Sequence, residues 1–201
     1  YKINLPINTN YWKPENKKES LKKLHWSENN INLIFGFESY SKKHQKGLDI
    51  AINLFENLSK ISKKKICFNI FGEVDKNIFL AKDINFLGRL DETELKVIFS
   101  ASDVLIAPSR LESFGQIALE ALACGLPVIC KKNTGTEELV TNKKMGYVIH
   151  ELNIQEYIEI LDWINKLNDE DRDYRHDEVN NKYSYRLIQN EYYTNILNKL
   201  F

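Results

Sequence analysis

The chain has 201 residues, 43% of them hydrophobic and 28% charged, with 28 Lys plus Arg set against 28 Asp plus Glu. That length holds one sizeable core, or one domain with extensions, and the composition is that of an ordinary globular domain. The even charge argues against a nucleic-acid footprint spread over the whole surface, and no apolar run approaches the ~18 residues of a membrane-spanning helix.

No signal peptide is legible, and a chain that begins at Tyr1 rather than Met is expected to be a fragment. Cys67, Cys124 and Cys130 lack metal spacing, and their odd number argues against a disulfide framework. They are read as small buried residues in a reducing, cytoplasmic compartment.

Residues 1–14 are polar and irregular, with Pro6 and Pro14, and 15–25 form a short charged helix. INLIFGF (31–37) is a β-rich apolar run, followed from Gly47 by LDIAINLFENLSKI with helical spacing. CFNIFG (67–72) and INFLG (84–88) are the second and third strands, and a helix covers Glu92 to Ala101. DVLIAPS (103–109) is a fourth strand, a helix runs from Ser113 to Cys124, and LPVICK (126–131) is a fifth strand. A short helix near 136–142 precedes a sixth strand, YVI (147–149). Residues 154–168 form another helix, then a polar break leads to a long amphipathic segment from about 178 to 200. Short strands bounded by glycines and alternating with helices predict an α/β fold, a doubly wound parallel sheet whose ligands bind beyond the carboxyl ends of its strands.

The most informative stretch is PSRLESFGQIALEALACGLPVI, Pro108 to Ile129. It carries Glu112 and Glu120 with seven residues between them, on either side of an expected helix start. A helix start offers unpaired amides to an anion, and flanking acids suit hydroxyl groups, so the pattern suits a sugar nucleotide. Ser113 and Gln116 have capping-box spacing, which would satisfy part of that helix end without any ligand. Amides near Phe114 and Gly115 would remain for a phosphate, and Gly115 lets a ligand approach the backbone closely. Glu120 sits among apolar neighbours on the helical face it shares with Gln116 and Ser113. That face is either a narrow solvent stripe or one wall of a cleft where the carboxylate accepts hydrogen bonds from a ribose.

Lys46 and Gly47 end the basic loop SKKHQKG, which is either a solvated charge run or a source of a cation for a diphosphate. Lys42, Lys43 and Arg110 are weaker candidates for that cation. His25, His44, His150 and His176 have neither metal spacing nor a nucleophile partner. Asp169, Asp171 and Asp173 match D-x-D but are expected in a charged loop between helices, so no metal is assigned.

Taken together these residues resemble a known family. ESFGQIALE followed by ALACGLPVI is similar to the E-x7-E segment of retaining glycosyltransferases of family 4, which have the GT-B fold. LPINTNYWKP (5–14) resembles the family's interdomain linker, and the segment from Gly36 to Lys46 and Gly47 resembles its phosphate-contacting loop. INFLGRLDETELKVIFSASDVLIAPS, TGTEELV (134–140) and YSYRLIQNEYYTNILNKL resemble the stretches that lead into the motif, follow the next strand and close the domain.

The resemblance implies a division into 1–25, linker and short helix; 26–177, a Rossmann-like nucleotide-sugar-binding domain; and 178–201, a helix crossing back to a partner domain. It implies that Glu112 contacts hydroxyls of the transferred sugar and that Lys46 holds the diphosphate with the amides of Phe114, Gly115 and Gln116. Glu120 would bind the ribose, and Gly88, Arg89 and Leu90 would lie near the base. Two departures stand out: Phe37 replaces an arginine common after the first-strand glycine, and Thr134 replaces the first glycine of Gly-Gly-x-Pro-Glu.

The implied activity is metal-independent, retaining transfer from a nucleoside diphosphate sugar, with no cofactor. The acceptor would be a growing bacterial glycan or a lipid-linked sugar held by an absent N-terminal domain, and this half alone would be inactive. Any attachment to the inner face of the membrane would lie in that missing half. A noncatalytic sugar-nucleotide-binding module, another GT-B enzyme such as an epimerase or phosphorylase, and a structural subunit with a vestigial cleft remain the alternatives.

Overall fold

The computed structural model describes residues 4–37, 43–73 and 83–195. Six strands make one sheet: β1 (Ile31–Phe37), β2 (Ile66–Gly72), β3 (Ile84–Gly88), β4 (Val104–Ala107), β5 (Val128–Lys131) and β6 (Gly146–Ile149). All neighbours pair in parallel, in the order β3-β2-β1-β4-β5-β6. The order reverses between β1 and β4, and a doubly wound sheet opens a crevice at that point, beyond the carboxyl ends of the strands.

Among the described residues eight α-helices surround the sheet: α1 (Lys17–Lys23), α2 (Lys43–Lys46), α3 (Leu48–Ile61), α4 (Glu92–Ala101), α5 (Gln116–Ala123), α6 (Ile154–Asn165), α7 (Asp171–Tyr183) and α8 (Tyr185–Asn195). The run in β1 reads as continuously apolar because both faces are covered. Leu33, Phe35 and Phe37 point to the side packed by Leu54 and Leu58 of α3 and Ile160 of α6. Ile34 points to the opposite side, with Phe99 of α4, Leu119 and Leu122 of α5 and Val179 of α7. Cys124 and Cys130 are buried as expected, whereas Cys67 is half-buried.

The sequence-based bounds hold for β1, α3, β3 and α4. Asp91 caps α4 with a full capping box: Glu94 N–H donates to Asp91 Oδ1 and Asp91 N–H to Glu94 Oε2, both at 2.8 Å. The box expected at Ser113 and Gln116 does not form. Gly115 is the N-cap of α5, with φ +89° and no side-chain capping bond, so the helix begins at Gln116 rather than Ser113. At its other end Gly125 N–H donates to the Leu122 carbonyl and Leu126 N–H to that of Ala121, both at 2.9 Å, which is a Schellman closure. The segment near 136–142 is a 3-10 turn, Gly135–Leu139.

The C-terminal region differs most from expectation. Residues expected as a polar break belong to α7, so the division at 178 falls inside a helix, and Ser184 separates α7 from α8. The D-x-D acids Asp171 and Asp173 sit in the first turn of α7, where negative charge favours a helix start, and Asp171 pairs with Lys144 at 3.0 Å. Helix α7 was hidden because it buries arginines. Arg172 Nη2 donates to the Cys124 carbonyl at 3.3 Å, Arg175 Nη1 to Gly125 at 2.9 Å, and His176 Nδ1 to Ala123 at 2.7 Å. Three nitrogen donors therefore face the carbonyls at and beyond the carboxyl end of α5.

The N-terminal stretch is docked rather than loose. Ile7 and Trp12 are buried on the α4–α5 side, and Ile7 bridges to Ser184. Lys17 Nζ is 2.6 Å from Asp103 Oδ1, while Asp103 Oδ2 accepts Asn32 N–H at 2.7 Å. No described helix is long and apolar enough to cross a membrane.

Candidate active site

A cleft of about 590 Å³ opens at the carboxyl ends of β1 and β2, where the sheet order calls for a ligand site. Lys46 reaches it from the end of α2, with Gly47 between it and the start of α3. Glu112 reaches it from the loop between β4 and α5. Lys46 Nζ and Glu112 Oε2 are 2.6 Å apart, and their side chains are 25% and 17% exposed. The Glu112 carbonyl also accepts Gly135 N–H at 2.8 Å, so the turn after β5 holds this loop from behind.

That contact shows which glycine of the TGTEELV segment matters. A Cβ at Gly135 would lie 2.1 Å from the Ser113 carbonyl oxygen, so only glycine lets the two loops touch. Thr134 is in extended backbone, and its hydroxyl donates to the Lys131 carbonyl at 2.8 Å, so the substitution at 134 leaves the turn intact.

Helix α5 enters the cleft with its start uncapped by a side chain. Among the described residues no protein acceptor meets the amides of Phe114, Gly115, Gln116 or Ile117. The left-handed Gly115 turns the chain so that Gln116, Ile117 and Glu120 line the cleft. Gln116 Nε2 donates to Glu120 Oε1 at 3.3 Å. Burial pushes the Glu120 carboxyl up to about 7, with the hydrogen bond from Gln116 opposing the rise and Glu92 adding to it. This describes a carboxyl on a poorly hydrated cleft wall rather than on a solvent stripe.

Of the residues singled out from sequence, Lys46, Glu112, Gln116, Glu120, Arg89 and Leu90 all line this cleft. Gly115 lines a small recess beneath it, together with Lys46 and Glu112. Gly88 ends β3 with φ +74° just ahead of Arg89. The Phe114 ring packs edge-on against Tyr183 at 5.9 Å and is not among the cleft-lining side chains, so only its amide bears on the site. Arg89 is also ion-paired with Glu73 at 2.5 Å.

Arg110 is removed as a phosphate candidate: its guanidinium is paired with Asp49 and it does not line the cleft. Lys43 lies in α2, and Lys42 lies outside the described residues. Phe37, which stands where many relatives of the motif carry arginine, is a buried wall residue. Sequence reasoning passed over Gln45, Phe71, Gly72 and Ile117, which complete the lining. Gly72 and Phe71 could have been found from their place at the carboxyl end of β2. Among the described residues there is no group of three or more His, Cys, Asp or Glu arranged to hold a metal ion.

Comparison with known proteins gives this geometry its context. The chain is 32% identical over 149 residues to an uncharacterized glycosyltransferase of Methanocaldococcus jannaschii, covering 72% of this chain and 41% of that relative. It thus spans about two fifths of the length of the curated relatives it matches. In fold it is similar to HepE of Anabaena in complex with UDP-glucose, with TM-score 0.75 and 17% identity over 98% of this chain and 57% of that one. It is also similar to the C-terminal domain of a glycosyl transferase group 1 family protein from Francisella tularensis. There the TM-score is 0.68 and the identity 22%, over 89% of this chain and 99% of that one. The family model for glycosyl transferases group 1 matches residues 17–184, and the chain belongs to that family.

Proposed function

We propose that the chain is the donor-binding half of a retaining, metal-independent glycosyltransferase of family 4, with a GT-B architecture completed by an N-terminal domain. The observation that carries this reading is the convergence of Lys46, Glu112, the uncapped start of α5 and Glu120 on one cleft. A cation, a row of free amides and two carboxyl groups match the parts of a nucleoside diphosphate sugar in kind and in number.

In this reading Lys46 and the amides of Phe114, Gly115 and Gln116 hold the diphosphate. Glu112 accepts from hydroxyls of the sugar and Glu120 from those of the ribose. Gly88, Arg89 and Leu90 border the base. As the bond from the sugar's anomeric carbon to the diphosphate breaks, its electron pair stays on the diphosphate oxygen. The acceptor's hydroxyl oxygen bonds to that carbon, and its proton passes to the departing diphosphate oxygen. Negative charge grows on the diphosphate, where Lys46 and the positive end of α5 stabilise it without a divalent ion.

The proposed acceptor is a glycan or lipid-linked sugar on the cytoplasmic side of a membrane, held by the N-terminal domain, so this chain alone would bind donor without turning it over. HepE, alike in fold, was crystallised with UDP-glucose, which makes uridine nucleotides the first class to test.

The test is a melting series of this chain with UDP, GDP, ADP and their sugars. A ligand at 100 times its Kd adds about 2.7 kcal/mol of stability, which a melting curve resolves. A shift with one nucleotide series, lost in Lys46→Ala, supports the reading. No shift with any nucleoside diphosphate overturns it.

A further inference from the structure

Arg110 makes a two-pronged ion pair with Asp49, Nη1 to Oδ1 at 2.7 Å and Nη2 to Oδ2 at 2.6 Å. Nη1 also donates to the His44 carbonyl at 2.9 Å, and the Arg110 amide donates to that of Gln45 at 2.7 Å. Gln45 Nε2 in turn reaches the Leu111 carbonyl at 3.5 Å. These contacts straddle Lys46, falling on residues 44 and 45 before it and on 49 after it. On the facing loop they fall on Arg110 and Leu111, immediately before Glu112. The two segments that carry the cleft's cation and its first carboxylate are therefore clasped to each other, with the Lys46–Glu112 pair beside the clasp.

Beyond Lys46 the chain is anchored by Gly47, where a Cβ would lie 2.4 Å from the Pro108 carbonyl oxygen, and by the buried Leu48. Helix α2 has four residues and buries none of them, so it has no apolar anchor of its own. A lysine on such a turn has a long, flexible stem and its position is set by whatever holds the backbone beneath it. Arg110 adds to that hold with a planar fork matched to a carboxylate, which a lysine at 110 would not reproduce. The hydrogen bond from Arg110 also lowers the Asp49 carboxyl below its ordinary value.

We propose that Arg110 and Asp49 are positioning residues that hold Lys46 where it can receive the donor's diphosphate. The proposal rests on the donor-binding reading above. Arg110 acts through Lys46 rather than on the donor, because it lies outside the lining of the cleft.

The experiment is calorimetry of UDP with this chain and with Arg110→Met, Asp49→Asn, Lys46→Ala and the double variant Arg110→Met/Lys46→Ala. Arg110→Met and Asp49→Asn are each expected to weaken UDP binding about tenfold, within the range for side chains coupled in one network. Their melting temperatures should stay close to that of the unaltered chain, because Asp49 is more than half exposed and exposed ion pairs contribute little to stability. In the Lys46→Ala background, Arg110→Met should cause no further loss.

UDP binding by Arg110→Met at full strength, alongside a loss in Lys46→Ala, overturns the clasp and leaves the donor reading standing. Equal losses in both backgrounds make Arg110 a direct ligand and overturn the clasp too. Should Arg110→Met fail to fold, Asp49→Asn carries the same test, since it keeps the side-chain shape. Failure of the unaltered chain to bind any nucleoside diphosphate removes the donor reading and this proposal together.

Discussion

Lys46 Nζ and Glu112 Oε2 meet at 2.6 Å across the cleft, joining the turn before α3 to the loop before α5. With both side chains mostly withdrawn from water, removing one partner strands the other's charge. In the proposed function the same two groups serve adjoining parts of the donor, its diphosphate and its sugar. The carboxylate therefore competes with a diphosphate for Lys46 until a sugar gives it hydroxyls of its own.

Opposite effects on nucleotide binding follow from that competition. Lys46→Ala is expected to weaken UDP binding by roughly 1.5–3 kcal/mol, the worth of a hydrogen bond to a charged group. Glu112→Gln removes the competing charge and should leave UDP binding unchanged or tighter. In the complete enzyme Lys46→Ala should slow transfer by about 10²–10³, as for a lost oxyanion donor. Calorimetry with UDP on the two variants checks the first part; parallel weakening in both would show that Glu112 supports the nucleotide rather than competing with it.

Glu120 gives a pH signature. Its carboxyl is raised from 4.5 to about 7 by burial, so the folded chain holds a proton that the unfolded chain has already released. Stability from this group is therefore present below about pH 4.5 and is lost as pH rises to about 7, by an amount on the order of 3 kcal/mol. Melting temperatures between pH 5 and 8 should fall more steeply for the native chain than for Glu120→Gln, which has nothing to ionise. If Glu120 takes ribose hydroxyls as a carboxylate, UDP binding at pH 6 should also release a proton. Calorimetry in buffers of different ionisation enthalpy reads that release, and the Glu120→Gln variant should abolish it.

Sequence made the sheet legible because its strands are apolar runs bounded by glycine or a turn, and periodicity needs no distant partner. It made Lys46, Glu112 and Glu120 legible because their chemistry stands out beside a glycine or an apolar helix. What it hid depends on contacts far along the chain. Ser113 and Gln116 have the letters of a capping box, yet the turn after β5 presses Gly135 against Ser113, and the chain enters the helix only at Gly115. Arg110 reads as a spare cation until Asp49, 61 residues earlier, is seen to hold it. Helix α7 has no apolar stripe because the face it buries is built from Arg172 and Arg175 with only Val179 beside them.

The exchange of capping sites can be measured. Asp91→Ala removes a complete capping box on α4 and should cost about 1 kcal/mol of stability. Ser113→Ala removes a hydroxyl that caps nothing and should change stability by less than about 0.5 kcal/mol. Urea denaturation of the two variants distinguishes the cases, and a comparable loss at Ser113 would restore the helix start expected from sequence.

Arg175 tests how α5 is held from behind. It is almost fully buried, and burial pushes its guanidinium down to about 10, the nearby Asp171 and Asp169 only partly offsetting this. It donates to the carbonyls of Lys144 at 2.6 Å and Gly125 at 2.9 Å, while its Nη2 has no partner among the described residues. Replacing it with Met relieves the desolvation of a charge but leaves two carbonyls without that donor. The second effect should win, because the guanidinium spans two chain segments that no thioether can join, and a net loss of about 2 kcal/mol is expected. The cleft lies at the other end of α5, so UDP affinity measured well below the melting temperature should not change. A fall in affinity without a fall in stability would mean that α7 controls the cleft directly, rather than only bracing the helix that forms its wall.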